Sequence, residues 1–113
     1  MRRHKRVTIT GAATIKYVDK SKDISLHAMT VNISLGGIGL YCDELVEINT
    51  DVSVEINFIS VDGMRTCGIE GRVVYTKNIG DVWFTGVQFD EDVDHDNQPC
   101  LYEHIQKILT WEM

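Results

Sequence analysis

A chain of 113 residues has room for one domain with one modest core, because single domains most often run to about 100–150 residues. Its composition, 43% hydrophobic and 25% charged with one proline, excludes disordered, collagen-like and disulfide-framework proteins. No apolar run reaches the ~20 residues of a membrane-spanning helix, and no apolar signal region follows Met1, so we predict a soluble, cytoplasmic protein. Three widely spaced cysteines, Cys42, Cys67 and Cys100, predict free thiols in or near the core.

The net charge of −6 is distributed unevenly along the chain. Residues 1–6 contain four of the eleven basic residues (Arg2, Arg3, Lys5 and Arg6), which leaves seven basic against seventeen acidic groups in residues 7–113, a formal charge of −10. A body of this charge repels nucleic acid polymers, because their non-specific binding needs lysines and arginines spread over a face. The basic arm, residues 1–6, is better suited to a compact anion.

Beyond the arm, the hydrophobic pattern has mostly the two-residue period of β-strands. It predicts strands over residues 7–17, 24–33, 38–42, 52–58, 65–75 and 83–89. Turn residues separate them at 20–23, 34–37, 62–63 and 78–81, and a phase slip after Thr30 predicts a β-bulge. Six strands without intervening helices predict an all-β domain over residues 7–113, built as a small six-stranded antiparallel barrel.

The C-terminal segment changes to a helical period. Its apolar residues Leu101, Ile105, Ile108 and Leu109 recur at helical spacing, and Pro99 suits a first helical turn. We therefore predict one helix over about residues 99–112, packed against the barrel.

An acidic stretch over residues 90–96 precedes this helix and would complement the positive end of its dipole. The residues Asp92, Asp94, Asp96 and Glu103 match positions 1, 3, 5 and 12 of an EF-hand calcium loop. However, Asn97 occupies the position that requires glycine, so an acidic loop that leads into the helix explains the stretch better and no metal site is predicted.

Two local motifs point to a function. Arg2 and Arg6 form Arg-x-x-x-Arg before the first strand, and Asn32, Ser34 and Gly37 form Asn-x-Ser-x-x-Gly between the second and third strands. In this order and around a hairpin, the two motifs resemble the PilZ domain family, cytosolic receptors for the bacterial second messenger cyclic di-GMP. Segments 36–40, 71–75 and 86–89 are similar to strands of that family.

The resemblance implies a ligand site for cyclic di-GMP and no other cofactor. It assigns phosphate and guanine contacts to Arg2 and Arg6, with Arg3 as a helper, since a guanidinium can both bind an anion bidentately and stack on a purine. Asn32 would meet a guanine edge and Ser34 would offer a hydroxyl. Gly37 would adopt a positive φ and allow close approach of the ligand.

A single-domain chain implies a signal passed in trans to an unidentified effector protein, by ligand-induced ordering of the arm. No nucleophile elbow, metal-ligand spacing or complete dinucleotide fingerprint accompanies the motifs, so we predict a binding protein and not an enzyme. Two alternatives stay open: a protein-interaction module of the same fold that binds no nucleotide, and an oligonucleotide-binding barrel, which the negative body disfavours.

Overall fold

The computed structural model describes residues 5–9, 11–60 and 63–111. Its elements, in chain order, are β1 (Val7–Thr8), β2 (Ala12–Asp19), β3 (Lys22–Ile33), β4 (Gly37–Cys42), β5 (Asp51–Ser60), β6 (Gly63–Ile79), β7 (Val82–Phe89) and α1 (Pro99–Trp111). The predicted all-β domain with one C-terminal helix is therefore confirmed. Within the described residues, no helix is long and apolar enough to cross a membrane.

Six of the strands close into a ring of antiparallel pairs. The order runs β3-β2-β5-β6-β7-β4, and pairing of β4 with β3 completes the circle, while the short β1 adds to β3 from outside it. Alternate side chains point inward, so that the interior is filled by fully buried residues such as Ile15, Leu40, Val54 and Val73. The predicted six-stranded ring is confirmed, and its filled interior leaves the outer surface for a ligand.

The first predicted strand, 7–17, is two strands in the structure. The strand is interrupted at Gly11, which has a φ of 155° and is exposed. The alternation of buried and exposed residues therefore stops between Ile9 and Ala13, which are both buried. Thr30 spans the break: its backbone N–H donates to the Gly11 carbonyl at 3.0 Å, and so does its hydroxyl, also at 3.0 Å. This split frees β1 to pair with the far end of β3, a consequence that the hydrophobic pattern alone does not reveal.

Local geometry explains the turns. Lys20 and Ser21 have φ values of 50° and 68°, as a two-residue type I′ hairpin requires, so that turn is tighter than predicted. The predicted bulge in β3 is confirmed by a register shift between Thr30 and Asn32 against β4. Gly63, with φ 115°, closes the β5–β6 hairpin, whose predicted turn residue Asp62 lies outside the described residues.

Helix α1 packs on the ring through Leu101 and Ile105, both fully buried. The acidic loop before it is held by its own hydrogen bonds: the Asp94 carboxylate accepts from the backbone N–H groups of Asp96 and Asn97 at 2.8 and 2.7 Å. The Asn97 side chain donates to the Asp92 carbonyl at 2.8 Å. The loop is thus held by hydrogen bonds within itself. Within the described residues, no group of three or more metal-ligating side chains is assembled.

Candidate functional site

An open cleft of about 740 Å³ lies on the outside of the ring, where the end of β3, the start of β4 and the strands β6 and β7 meet. Tyr75, Lys77 and Gln88 line it and are exposed, whereas Val73 and Phe89 on the same strands point into the core. Opposite walls differ in chemistry. We call the side formed by Arg6 and residues 32–37 the polar wall, and the side formed by residues 74–79 and 84 the aromatic wall.

Strand pairing brings the two sequence motifs together in the polar wall. β1 runs antiparallel to the end of β3, with Val7 opposite Ile33 and Thr8 opposite Asn32, which carries Arg6 to the end of β3. The guanidinium of Arg6 donates from Nη1 to Asn32 Oδ1 at 2.6 Å. Residues 26 positions apart in sequence are thus joined at one edge of the cleft, and the last residue of the predicted arm already contacts the barrel.

Ser34 is 5% exposed and holds the turn between β3 and β4. Its hydroxyl accepts from the Gly36 backbone N–H at 3.2 Å and donates to the Gly37 carbonyl at 3.5 Å. The Ser34 backbone N–H donates to that same carbonyl at 2.8 Å. Although Ser34 lines the cleft, its hydroxyl serves the turn, a role that the sequence analysis did not anticipate.

Gly37 is also on the polar wall, but the positive φ expected for it was wrong. Its φ is not positive, since among the described glycines only Gly11, Gly63 and Gly80 have positive φ. A Cβ on Gly37 would lie 2.5 Å from the carbonyl oxygen of Val87 on the paired strand β7. The glycine is required by the close approach of two strands and not by a left-handed backbone.

The aromatic wall begins at a bulge in β6. The register against β7 shifts between Val73 and Tyr75, so that Val74 and Tyr75 are both exposed. Downstream of the bulge, Lys77 lies opposite Phe84 on β7. The Phe84 ring makes edge contacts with Tyr75 at a centroid distance of 6.0 Å and with Tyr41 at 5.8 Å. These contacts place an aromatic surface across the cleft from Arg6.

Two glycines form the floor between the walls. Gly39 on β4 pairs with Gly86 on β7, so neither strand projects a side chain there. A Cβ on Gly39 would meet the Phe84 ring at 2.8 Å and Asn32 Oδ1 at 3.0 Å. A Cβ on Gly86 would meet the Tyr75 Cβ at 3.2 Å. Because Gly39 and Gly86 carry no side chains, the rings of the aromatic wall can lie close to the polar wall.

The cleft contains charges of both signs. Its described lining includes the basic residues Arg6 and Lys77 and the acidic residue Asp92. The segment after β7 that bears Asp92 is fixed to the polar wall, because the Phe89 backbone N–H donates to the Gly36 carbonyl at 2.9 Å and that of Val93 donates to the Leu35 carbonyl at 2.6 Å. Asp92 is therefore held beside the turn that carries Ser34 and Gly37.

Four of the six predicted site residues, Arg6, Asn32, Ser34 and Gly37, line this cleft. Arg2 and Arg3 lie outside the described residues. Sequence reasoning missed the aromatic wall and Asp92. The available signal was weak. Val74 and Tyr75 break the inward alternation of β6, as a bulge does, and the residue that pairs with Tyr75 on β7 is a glycine, Gly86.

Comparisons with known proteins identify the family and the fold of the chain. The family model described as "PilZ domain" matches residues 1–110. The fold is similar to that of the inhibitor of motility MotI/DgrA from Bacillus subtilis, with a TM-score of 0.73 and 18% identity over 97% of this chain and 52% of that one. This chain thus spans about half the length of the Bacillus protein.

Two structures of YcgR from Escherichia coli are also similar. The PilZ domain of YcgR with c-di-GMP has a TM-score of 0.65 and 14% identity over 98% of this chain and 91% of that one. YcgR in complex with c-di-GMP has a TM-score of 0.61 and 17% identity over 96% and 44%. No curated protein sequence matches the chain. The likeness at these identities is one of fold, and it confirms the PilZ-like architecture.

Proposed function

Because the chain belongs to the PilZ domain family, we propose that it is a receptor that binds cyclic di-GMP in the outer cleft. The observation that carries this proposal is the 2.6 Å hydrogen bond from Arg6 to Asn32, since it unites the arginine motif and the Asn-x-Ser-x-x-Gly motif at the edge of one cleft. The cleft is large enough to cover much of a ligand of this size, because small-molecule sites usually enclose about 300–1,000 Å³.

Arg6 is the main anion-binding group in this proposal. A guanidinium has five N–H donors in a fixed fork, so Arg6 can keep Asn32 as a partner and still donate to a phosphodiester or to the O6 and N7 atoms of guanine. The bond to Asn32 fixes the direction of the fork before the ligand arrives. Each charge-assisted hydrogen bond of this kind contributes roughly 1.5–3 kcal/mol. Gly37 and the bonded Ser34 keep the turn beneath it rigid.

The aromatic wall would bind the bases. Every purine has a face that can stack on an exposed ring, and base–aromatic stacking is worth about 1–3 kcal/mol per base. Tyr75 is 49% exposed and is braced by Phe84, so its ring is available without rearrangement of the core. Lys77, two residues beyond Tyr75 on the same exposed face, would neutralise the second phosphodiester.

Asp92 would provide selectivity for guanine. Guanine offers two adjacent donors, N1–H and the N2 amino group, on its Watson–Crick edge, and a carboxylate accepts both in the manner of a bidentate pair. Adenine presents an acceptor at N1 instead, which a carboxylate repels. We assign this contact to Asp92 because its segment is anchored to Leu35 and Gly36 and its side chain lines the cleft.

Signalling would proceed in trans through the arm. Arg2, Arg3 and Lys5 would add charge to the polar wall once the ligand supplies phosphates, and the altered surface near β1 would be the one shown to an effector protein. The alternative is an interaction module of the same fold that binds no nucleotide, for which the exposed aromatic wall would be the contact surface.

Calorimetric titration separates these functions. We expect the wild-type protein to bind cyclic di-GMP, and to bind cyclic di-AMP, GTP and cyclic AMP at least tenfold more weakly. The Asp92→Ala variant should lose preference for cyclic di-GMP over cyclic di-AMP, whereas Asp90→Ala, an exposed carboxylate outside the cleft lining, should keep it. Absence of wild-type binding at millimolar nucleotide would favour the interaction module.

A further inference from the structure

The seam between β6 and α1 contains two of the three cysteines. Cys67 is half-buried on β6, Cys100 is exposed in the first turn of α1, and both are free thiols. Neither lines the cleft. The third cysteine, Cys42, is buried in the ring. The seam therefore places one accessible and one sheltered thiol on two different elements.

A hydrogen bond joins the two sides of the seam beside the thiols. The Gln98 side chain donates from Nε2 to the Gly68 carbonyl at 2.8 Å. Gly68 directly follows Cys67, and Gln98 lies two residues before Cys100. Burial raises the pKa of the Cys67 thiol, and the nearby Cys100 thiol raises it further. The two thiols are therefore neighbours across the seam.

Buried side chains also lie on both sides of the seam. Leu101 is fully buried and belongs to the same core cluster as Ile69, two residues after Cys67 on β6. A disulfide needs Cα atoms about 4.4–6.8 Å apart, so the cross-link requires Cys67 and Cys100 to approach within this range.

We propose that Cys67 and Cys100 form a peroxide-sensitive modification site that closes to an intramolecular disulfide. The exposed Cys100 thiol loses its proton and the resulting thiolate attacks hydrogen peroxide: an S–O bond forms, the O–O bond breaks, and the released hydroxide takes up that proton to give water. Cys67 then attacks the Cys100 sulfenic acid, an S–S bond forms, the S–O bond breaks, and a second water leaves with the Cys67 proton. Two thiols are oxidised and one peroxide is reduced.

The disulfide would staple the start of α1 to β6 and close a loop of 33 positions that contains all of β7 and Asp92. Closing such a loop removes conformational freedom from the unfolded chain, so oxidation should stabilise the fold. Cys42 should not react, because it is 1% exposed and burial raises the pKa of its thiol.

Peptide mapping by mass spectrometry without reductant tests the site. After treatment with hydrogen peroxide, we expect a Cys67–Cys100 cross-linked peptide as the main product, Cys42 unmodified, and a thermal midpoint raised by on the order of 10 °C. Dithiothreitol should reverse both changes. The measurement involves no nucleotide, so it stands or falls separately from the proposed receptor function.

Cys100→Ser is the matched control, because its side chain is exposed and the substitution should leave the fold intact. This variant should show neither cross-link nor midpoint shift. Cys67→Ala should accumulate Cys100 sulfenic acid, which dimedone traps, and this would place the first attack at Cys100. Conversion of wild-type Cys100 to sulfinic acid, or a dimer linked through Cys100, in place of the internal cross-link would overturn the proposal.

Discussion

The two walls of the cleft are held in place by different forces. The polar wall is fixed by hydrogen bonds and backbone contacts: Arg6 to Asn32 at 2.6 Å, Ser34 within its own turn, and Gly37 against the Val87 carbonyl. In the aromatic wall, Tyr75 and Lys77 are exposed, and the rings of Tyr75 and Phe84 make only an edge contact.

This difference determines what a substitution can report. On the polar wall, a residue that would touch the ligand also shapes the strand junction, so a loss of binding there can reflect a loss of structure. On the aromatic wall, exposed side chains can be removed without opening the core, so a loss of binding there reports on the ligand contact itself. Ranking substitutions across the two walls therefore tests whether the cleft is a binding site.

Gly37→Val should have the largest effect. Its Cβ would lie 2.5 Å from a backbone carbonyl oxygen of β7, which cannot move as the end of a flexible side chain can. We expect a loss of about 3 kcal/mol or more in the free energy of unfolding, and loss of binding with it. Chemical denaturation followed by circular dichroism measures the change.

The matched control is Gly68→Val. Gly68 is also in a strand, and a Cβ there meets no atom within 4 Å, so this variant should be as stable as the wild type. A Gly37→Val protein with wild-type stability would show that the β4–β7 junction can open, and would return Gly37 to the role of a ligand contact alone.

Arg6→Ala should have the next largest effect, this time on binding. Loss of one charge-assisted contact should weaken cyclic di-GMP binding tenfold or more, because about 1.4 kcal/mol corresponds to one decade in affinity. Arg72→Ala removes the same charge from an exposed ion pair with Asp51 outside the cleft lining, and it should bind within about twofold of wild type. Equal affinities of the two variants in calorimetry would remove Arg6 from the site.

Tyr75→Ala should weaken binding less, by roughly fivefold, since one exposed stacking surface is worth about 1 kcal/mol. Its free energy of unfolding should change little because the ring is about half exposed. Tyr75→Phe keeps the ring and should bind as the wild type does. If Tyr75→Ala and Tyr75→Phe bind equally well, the aromatic wall does not hold a base and the ligand must lie entirely on the polar wall.

The polar wall could be predicted from sequence and the aromatic wall could not, for a physical reason. Arg6, Asn32, Ser34 and Gly37 belong to short motifs whose spacing is visible in the chain, and one strand pairing, β1 with β3, brings them together. Tyr75 and Phe84 belong to no motif. They share a face only because of a bulge at Val74 and the register of β6 against β7, which no local pattern specifies.

The fold shows the same limit. Period-two alternation predicts the strand β5 well, because its buried residues alternate with more exposed ones. The alternation does not predict the break at Gly11, because the apolar pattern continues through a glycine that turns the chain. It also does not predict why residue 37 is a glycine, since that depends on how closely the partner strand β7 approaches. These features depend on contacts between strands that are far apart in the sequence but adjacent in the sheet.

A change in pH should have the smallest effect, and it acts away from both walls. His104 on α1 stacks on Phe58 of β5 with a centroid distance of 4.6 Å, and burial, with a smaller contribution from nearby Lys107, lowers its pKa below the usual value. The unfolded chain therefore binds this proton more readily than the folded one. Stability should be fully present above the unfolded value of about 6.5 and should decline as the pH falls towards the lower folded value.

His104→Phe removes this titration while it keeps a ring against Phe58, so the difference in unfolding free energy between wild type and variant should depend on pH between about 5 and 7. Affinity for cyclic di-GMP, compared between the two proteins at each pH, should not differ, because His104 does not line the cleft. A fall in pH should thus lower the stability of the fold without changing either wall of the cleft. If binding followed the His104 titration, the helix seam and the cleft would be coupled, and the contrast between a structural polar wall and an independent aromatic wall would have to be replaced by one cooperative unit.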